Sequence, residues 1–449
     1  MDIIQQALHQ GAAYADLRHD IKKAYTVVRE SKKTVRDGVQ IDAGFCLRVL
    51  VDGAWGAGIA TREENLPSLL SDSIRSARVI KKNDAKIKTA PGGDVKSEKK
   101  AKKRFVDEDK LDFLKSLEAS AYDQTDRIVS MTLVLNAIER SLRMLTSESR
   151  TIETRVDRIF LRIVVNCKEG NNIESRTKIW GGTGGMEYLA EQENTIREET
   201  IQLAREADIL VGAEHPPSAL TDCVLSNALT GTLLHEAFGH AVEADSIISN
   251  RSILTGKIGE AVAADCVTMV DDPTVPLFGY YMYDHEGVKA QPCTVVEHGV
   301  LKSYLHSRET AALLNAPLTG HCKAEYYSNM PIIRQGNTIL QPQDYTGSEL
   351  LDIKEGLFLG DTAGGQANIG NGTFTFGTQY AREIKNGELG SYLKGCSLSG
   401  NVTETMKKVD AVGKDAEAIA AVCGKGQIDL QGWLMPAVRV KEVMVSGGR

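Results

Sequence analysis

The sequence predicts an α+β protein: a mixed N-terminal half, with helices packed on an antiparallel-rich sheet, followed by a mainly β C-terminal domain. Three observations carry this. Apolar residues recur at helical spacing in a few separated windows, such as Leu66, Leu69, Leu70, Ile74 and Ala77. Others alternate with polar neighbours, as in Ile159, Leu161, Ile163 and Val165, which is the strand period. Glycine outnumbers proline by 41 to 11, a ratio suited to many tight turns. The expected divisions are residues 1–80, a segment at 81–104, a second α+β unit at 105–215 and a β-rich domain at 216–449.

In chain order, residues 2–14 read as a helix with Ile3, Ile4, Ala7, Leu8 and Ala12 on one side. From Tyr25 to Thr61 a β meander follows, with turns expected at Asp37-Gly38 and Asp52-Gly53. After the helix near 66–77, residues 81–104 change in kind. They hold Pro91-Gly92-Gly93 and then six basic residues between Lys96 and Arg104 against the single acid Glu98. A solvated linker or mobile loop is expected there. Helices near 107–122 and 195–208 flank strands that turn at Lys168-Glu169-Gly170-Asn171 and run through Ile179-Trp180. The order helix, strands, helix therefore occurs on both sides of the basic segment. A helix with its N-cap at Thr221 or Asp222 then runs through Leu225, Leu229 and Leu233. Beyond it, short apolar runs broken by Gly, Asn and Asp predict β structure with irregular loops.

Composition excludes several function classes. Of 449 residues, 42% are hydrophobic and 25% charged, as in ordinary globular proteins. The net charge of −7 argues against nucleic acid as the main partner, and outside the basic segment the chain is more acidic still. No window approaches the ~18 consecutive apolar residues of a membrane helix. The opening Met-Asp-Ile-Ile-Gln-Gln lacks the basic and apolar parts of a signal peptide, so a cytoplasmic location is expected. Eight cysteines, none in a CxxC pair, suit reduced, buried thiols.

The helix after 221 ends in Leu234-His235-Glu236-Ala237-Phe238-Gly239-His240-Ala241. Two imidazoles flanking a carboxylate suit a zinc ion and the activation of its water. The familiar zinc-peptidase signature sets its histidines four apart, on one helical face. Here they are five apart, which on an ideal helix turns them about 140° from each other. For the two to share a metal, the helix must deform before His240, and Gly239 is where a break would cost least. A third ligand is also needed. His285-Glu286 and His321-Cys322 are candidates from composition, but Cys423 is the more attractive: flanking glycine leaves it accessible, and Lys425 favours a thiolate. The Gly-rich stretches at 181–185 and 360–366 lack the Gly-Lys-Ser/Thr ending of a phosphate loop. They read as tight turns, or as backbone left open to an extended ligand.

Together these stretches resemble the TldD/PmbA family, whose metal-bearing TldD branch carries His-Glu-x-x-x-His with this same spacing. Asp271-Asp272-Pro273, Gly299 to Leu305, Gly364-Gly365-Gln366, Leu393-Lys394-Gly395 with Ser399-Gly400-Asn401, and Val422 to Gln427 also look like family blocks. So does the N-terminal segment from Ala12 to Ile59. Residues 331–340 and 428–440 depart from the family pattern, and the basic segment is longer than usual. The resemblance implies a peptidase in which His235, His240 and Cys423 hold zinc (iron is the other metal this set accepts) and Glu236 is the general base. It also implies unfolded or extended peptides as substrate, and a homodimer or a heterodimer with a TldE/PmbA-like subunit. The competing reading is a non-enzymatic binding module, such as a DNA gyrase modulator, for which the basic segment is the one sequence feature.

Overall fold

The computed structural model describes residues 3–80, 84–102 and 107–447. Its N-terminal half is a single sheet with helices on one side. The short helix α1 (Ile3–His9) leads into a long hairpin of β1 (Tyr14–Glu30) and β2 (Lys33–Val51), then β3 (Ala54–Ala60) and α2 (Leu66–Val79). After β4 (Val95–Lys99) and α3 (Asp107–Tyr122) come β5 (Ile128–Thr146), β6 (Arg150–Glu169), β7 (Asn172–Thr183), the one-turn α4 (Met186–Ala190) and α5 (Glu193–Val211). Strand order is β3-β2-β1-β5-β6-β4, with β7 also on β6. Strands from both sides of the basic segment thus share one sheet, β1 pairing with β5 from Asp16↔Thr146 to Glu30↔Thr132.

Two local expectations are corrected here. The hairpin turn lies at Ser31-Lys32, both at positive φ (47° and 71°), as a two-residue hairpin turn demands. Asp37-Gly38 instead sits inside β2, paired with Val27 and Thr26. The basic segment is not wholly a solvated loop, because Val95–Lys99 pairs in parallel with Ile152 to Val156 at the sheet edge. Its charged side chains suit that exposed edge. Lys103 and Arg104 lie outside the described residues.

Alternation along the strands sorts the two faces of this sheet. Odd-numbered positions such as Leu133, Leu135, Ile159, Leu161 and Ile163 pack with Leu114, Leu117, Leu203 and Ala207 of α3 and α5. Leu17, Leu47 and Val49 do the same with Leu69, Leu70 and Ile74 of α2. Even-numbered positions face the C-terminal domain and mix charged residues with apolar ones such as Ile138, Leu142 and Met144. Arg48 pairs with Asp16 on its own sheet and reaches across to Glu286. Arg18 donates to the carbonyls of Tyr326, Tyr327 and Asn329, and Arg158 to those of Phe278 and Tyr280.

Among the described residues the C-terminal half holds thirteen strands, eleven of them in one sheet and two in a separate pair. They begin with β8 (Ala219–Leu225), followed by helix α6 (Asn227–Thr232). Residues 219–225 are strand, so the helix starts later than its periodicity suggests, at an N-cap of Ser226, whose hydroxyl accepts from the Leu229 N–H. Next come the short β9 (Met269–Asp271), β10 (Cys293–Glu297), β11 (Val300–Leu301), β12 (Cys322–Lys323), β13 (Ile332–Ile333) and β14 (Asn337–Leu340). The long strands β15 (Glu355–Asn368), β16 (Thr373–Lys385), β17 (Glu388–Lys394), β18 (Cys396–Asn401), β19 (Val409–Lys425) and β20 (Gln427–Gly447) complete it. Because β20 pairs with both β18 and β8, the path β20-β18-β16-β15-β8 closes on itself. Leu229, Leu233, Leu234 and Phe238 share one buried cluster with Phe376, Leu398, Met435 and Val438 of those strands. A helix apolar on every side is one held within a core. Among the described residues no helix is long and apolar enough to cross a membrane.

Candidate metal centre

The helix carrying the motif does deform, as the spacing requires if the two histidines are to meet. Residues Leu233–Gly239 take up π-helical hydrogen bonding, and His240–Val242 tighten to a 3₁₀ turn. The His240 N–H donates to the His235 carbonyl, five residues back, so one π-turn stacks positions five apart. That brings the two rings to 5.0 Å between centroids. Gly239 is not the break itself, since its φ and ψ of −60° and −43° are ordinary for a helix. Its reason is steric: a Cβ there would lie 1.9 Å from Gln335 Oε1.

Gln335 ties the turn down. Its Nε2 donates to the His235 carbonyl at 3.1 Å, and its Oε1 accepts from the Thr338 hydroxyl at 2.9 Å. Having given its proton to Gln335, Thr338 Oγ1 can only accept from His235 Nδ1, 3.4 Å away. That assigns the His235 proton to Nδ1 and leaves Nε2 a bare lone pair, buried with no partner among the described residues. Burial, with His240, Arg334 and Lys323 nearby, pushes the pKa of His235 well below the usual imidazole value, so the ring is neutral.

Cys423 arrives from the other side of the core, near the end of β19. His240 Nε2 lies 3.1 Å from its Sγ and 3.5 Å from Glu236 Oε2, and that carboxylate lies 3.9 Å from the same sulfur. One donor atom each of His235, Glu236, His240 and Cys423 falls within 4.8 Å of the others. Although burial opposes its charge, His240 is held well above the usual pKa by Glu243, with Cys423 and Glu236 adding to the effect. Two imidazoles, a thiol and a carboxylate meeting at one point form a donor set for a cation, and a metal ion is one that two imidazoles and a thiolate accept together.

Behind the cluster stands a layer that the motif does not reveal. Glu243, fully buried, faces His240 Nδ1 at 3.1 Å and Lys425 Nζ at 2.6 Å. Burial works against its charge, yet His240 and Lys425 keep its pKa below the usual carboxylate value. Lys425, expected beside the thiolate, instead serves this carboxylate and Asp245, at 2.7 Å. On the His235 side, Asp271 accepts from the Gly336 N–H at 2.7 Å, its Oδ2 lies 3.4 Å from Thr338 Oγ1, and its Oδ1 lies 3.0 Å from His321 Nε2. His321 is thus committed to Asp271, and His285 Nδ1 accepts from the Ala324 N–H. Neither belongs to the four-residue cluster. Cys322, next to Glu286 and Asp284, is buried and its thiol pushed up in pKa. Glu243 was traceable in the sequence, three residues after His240 and so on the same side of a helical turn. Gln335 and Thr338 carried no local signal.

Glu236 alone of the four is part-exposed, opening on a cavity of about 410 Å³. Its walls are Thr177 to Trp180 of β7 and Glu417 to Gly424 of β19, with Trp433 beside His235 at 5.6 Å between rings. The glycines at 364 and 365 line it as well. The outer edge of β7 is free of any strand partner among the described residues. At Thr177 the Gln379 amide takes a strand's place, accepting from the Thr177 N–H at 2.7 Å and donating to its carbonyl at 2.9 Å. Ile179 and Gly181, in the same phase of the strand, turn their backbone groups to the same side.

The chain has relatives in sequence and in fold along nearly its whole length. Residues 218–447 match the family model for the PmbA/TldA metallopeptidase C-terminal domain. A protein named metalloprotease from Methanothermobacter thermautotrophicus is 36% identical, over 97% of this chain and 95% of its own length. A zinc metalloprotease TldD homolog from Saccharolobus solfataricus is 26% identical, over 99% of each chain. Among solved structures, a proposed modulator of a DNA gyrase from Thermotoga maritima superposes with a TM-score of 0.84 at 21% identity, over 99% of this chain and 98% of that one. TldE from Thermococcus kodakarensis does so with 0.80 at 15%, over 99% of each. These two likenesses concern the fold. The sequence relationships reach further, and they place this chain in the TldD/PmbA family of metallopeptidases, on its TldD-like side.

Proposed function

We propose that the protein is a zinc peptidase that cleaves unfolded or extended peptides in the cytoplasm, with Glu236 as general base and His235, His240 and Cys423 as the metal ligands. The observation that carries this is the meeting of those four side chains at one buried point, with a bare His235 Nε2 and a part-exposed Glu236. When bound, zinc supplies a Lewis acid and brings the pKa of a water near 7. A thiolate among the ligands favours zinc over iron.

The chain's own residues do the rest. Thr338 and Glu243 fix the two imidazoles through their Nδ1 atoms. Glu236 faces the cavity and takes the proton of the attacking water, then delivers it to the leaving amine. The free edge of β7 at Ile179 and Gly181 offers main-chain groups to an extended peptide, which a folded substrate could not reach. Val35, Val39 and Ile41, all more than half exposed on the part of β2 beyond the reach of β3, support an assembly with a TldE/PmbA-like subunit or a second copy. The gyrase-modulator reading gains nothing from the basic segment, part of which is a sheet-edge strand.

Purified protein, with its partner subunit if one is needed, is expected to hold about one zinc per chain and to cleave an unstructured peptide. Glu236→Ala should keep the zinc and lower the turnover rate by about 10²-fold or more. Full cleavage by that variant with zinc still bound would refute the mechanism.

A further inference from the structure

A second cavity, of about 80 Å³, lies where the N-terminal sheet meets the C-terminal domain, and it shares no lining residue with the one over the metal centre. Its floor is a patch of the charged sheet face: Lys22 is paired in register with Arg140, and Ile138 with Arg158. His285 and Lys323 close it from the C-terminal side. Two of the four cations are matched. Arg140 makes a bidentate pair with Asp20, at 3.0 and 2.5 Å, and Lys323 contacts Asp429.

The other two have no carboxylate within ion-pair reach among the described residues. The Lys22 ammonium rests over the Tyr326 ring, 4.3 Å from its centroid. Arg158 spends two of its nitrogens on the carbonyls of Phe278 and Tyr280. His285 adds a neutral donor. Its Nδ1 accepts from the Ala324 N–H at 2.7 Å, so the ring proton sits on Nε2. Burial, with Arg140 next in effect, keeps that ring uncharged. The same two causes press Lys22 toward neutrality and bring Arg158 down to about 10. These are groups that an anion would relieve.

Charge and shape narrow the choice of anion. Glu325 and Asp429 stand in the same wall, so a dianion such as phosphate would meet repulsion that a monoanion largely escapes. Ile138, Leu142, Ile428 and Leu430 supply an apolar lining. We propose that this cavity binds a carboxylate with a short apolar stem, held between Lys22, Arg158 and the Nε2–H of His285. Two sources share that chemistry: a free small carboxylic acid and the C-terminal end of a peptide.

Calorimetry on the full chain, at matched ionic strength, can test this with isobutyrate against the isosteric isobutyramide. The acid should bind and the amide should not. Lys22→Met should weaken the acid by about 10-fold or more, the scale of one charge-assisted hydrogen bond, while Lys22→Arg retains it. Since the Lys22 ammonium makes no hydrogen bond or ion pair among the described residues and rests only over the face of the Tyr326 ring, the ligand-free unfolding temperature of Lys22→Met should stay near that of wild type. Equal binding of acid and amide, no binding of the acid, or wild-type binding by Lys22→Met would each overturn the proposal. So would binding that disappears only when the metal is stripped. Ala-Ala-Val with a free C-terminus, compared with its C-terminal amide, then separates the sources. Competition with isobutyrate by the free peptide alone identifies a peptide end, and absence of competition identifies a free acid.

Discussion

At the scale of single residues, the two histidines are oriented by different devices. His235 is set by a hydroxyl that has already given its proton away, so its tautomer follows from a hydrogen-bond chain running through Thr338 to Gln335. His240 is set by a carboxylate, Glu243, at 3.1 Å from Nδ1. A carboxylate behind a metal-binding imidazole raises its basicity and fixes its plane, and losing it costs 10–100-fold in metal affinity in comparable sites. Glu243→Gln should therefore bind zinc about 10-fold to 100-fold more weakly in a chelator competition. Glu236→Ala, measured alongside, should keep near-wild-type affinity. Equal zinc affinity in Glu243→Gln and wild type would remove Glu243 from this role. The sequence made the motif residues and Cys423 legible because they stand in recognisable local company. It left Glu243 unremarked and misassigned Lys425, because a charge's partner is set by folding, not by adjacency along the chain.

At the scale of elements, the motif depends on a π-turn that ordinary helix geometry would not supply. Five-residue spacing was legible as a requirement for deformation. Its form was not, since the turn is held open by Gln335, almost a hundred residues away. Gly239→Ala tests that support. The new Cβ would fall 1.9 Å from Gln335 Oε1, forcing the amide away from the His235 carbonyl and from Thr338. A loss of roughly 1–3 kcal/mol in unfolding free energy is expected, with weaker zinc binding. Because one contact causes both effects, Gly239→Ala with Gln335→Ala should be less destabilising than the sum of the single changes in a double-mutant cycle. Strict additivity would show that the glycine is needed for some other reason. The other elements misread in the sequence have equally physical causes. Asp37-Gly38 is a good turn sequence, but the register of β1 with β2 places the reversal at Ser31-Lys32. The run 219–225 has apolar residues that suit either period, and pairing with β15 and β20 makes it a strand.

At the scale of the whole molecule, the N-terminal sheet binds its two neighbours by different physics. Its apolar face takes helices, and strand alternation made that face legible from the sequence. Its charged face takes the C-terminal domain, and a charge in a strand normally signals solvent, so this contact was not legible. The structure shows why charge is tolerated there. Asp16, Arg18, Asp20 and Arg48 are all buried, and the arginines end on carboxylates or on carbonyls that the irregular chain from Phe278 to Asn329 leaves without strand partners. Arg18 is the sharpest case, since its Nη2 faces three such carbonyls, the nearest that of Asn329 at 2.5 Å. Arg18→Met would keep much of the volume and strand those acceptors in a dry interface. A loss of about 3 kcal/mol in stability is expected, the cost of unmet charge-assisted hydrogen bonds. Arg62→Met is the control: it breaks an ion pair whose side chains are 74% and 70% exposed, and it should change stability by less than about 0.5 kcal/mol. Denaturant unfolding of both variants, followed by a probe in each half of the chain, gives the comparison. If the charged face is what couples the two halves, their transitions should coincide in wild type, and Arg18→Met should separate them. If Arg18→Met and Arg62→Met fall within error of each other, the interface is held by its shape and apolar contacts, and the arginines merely fill it.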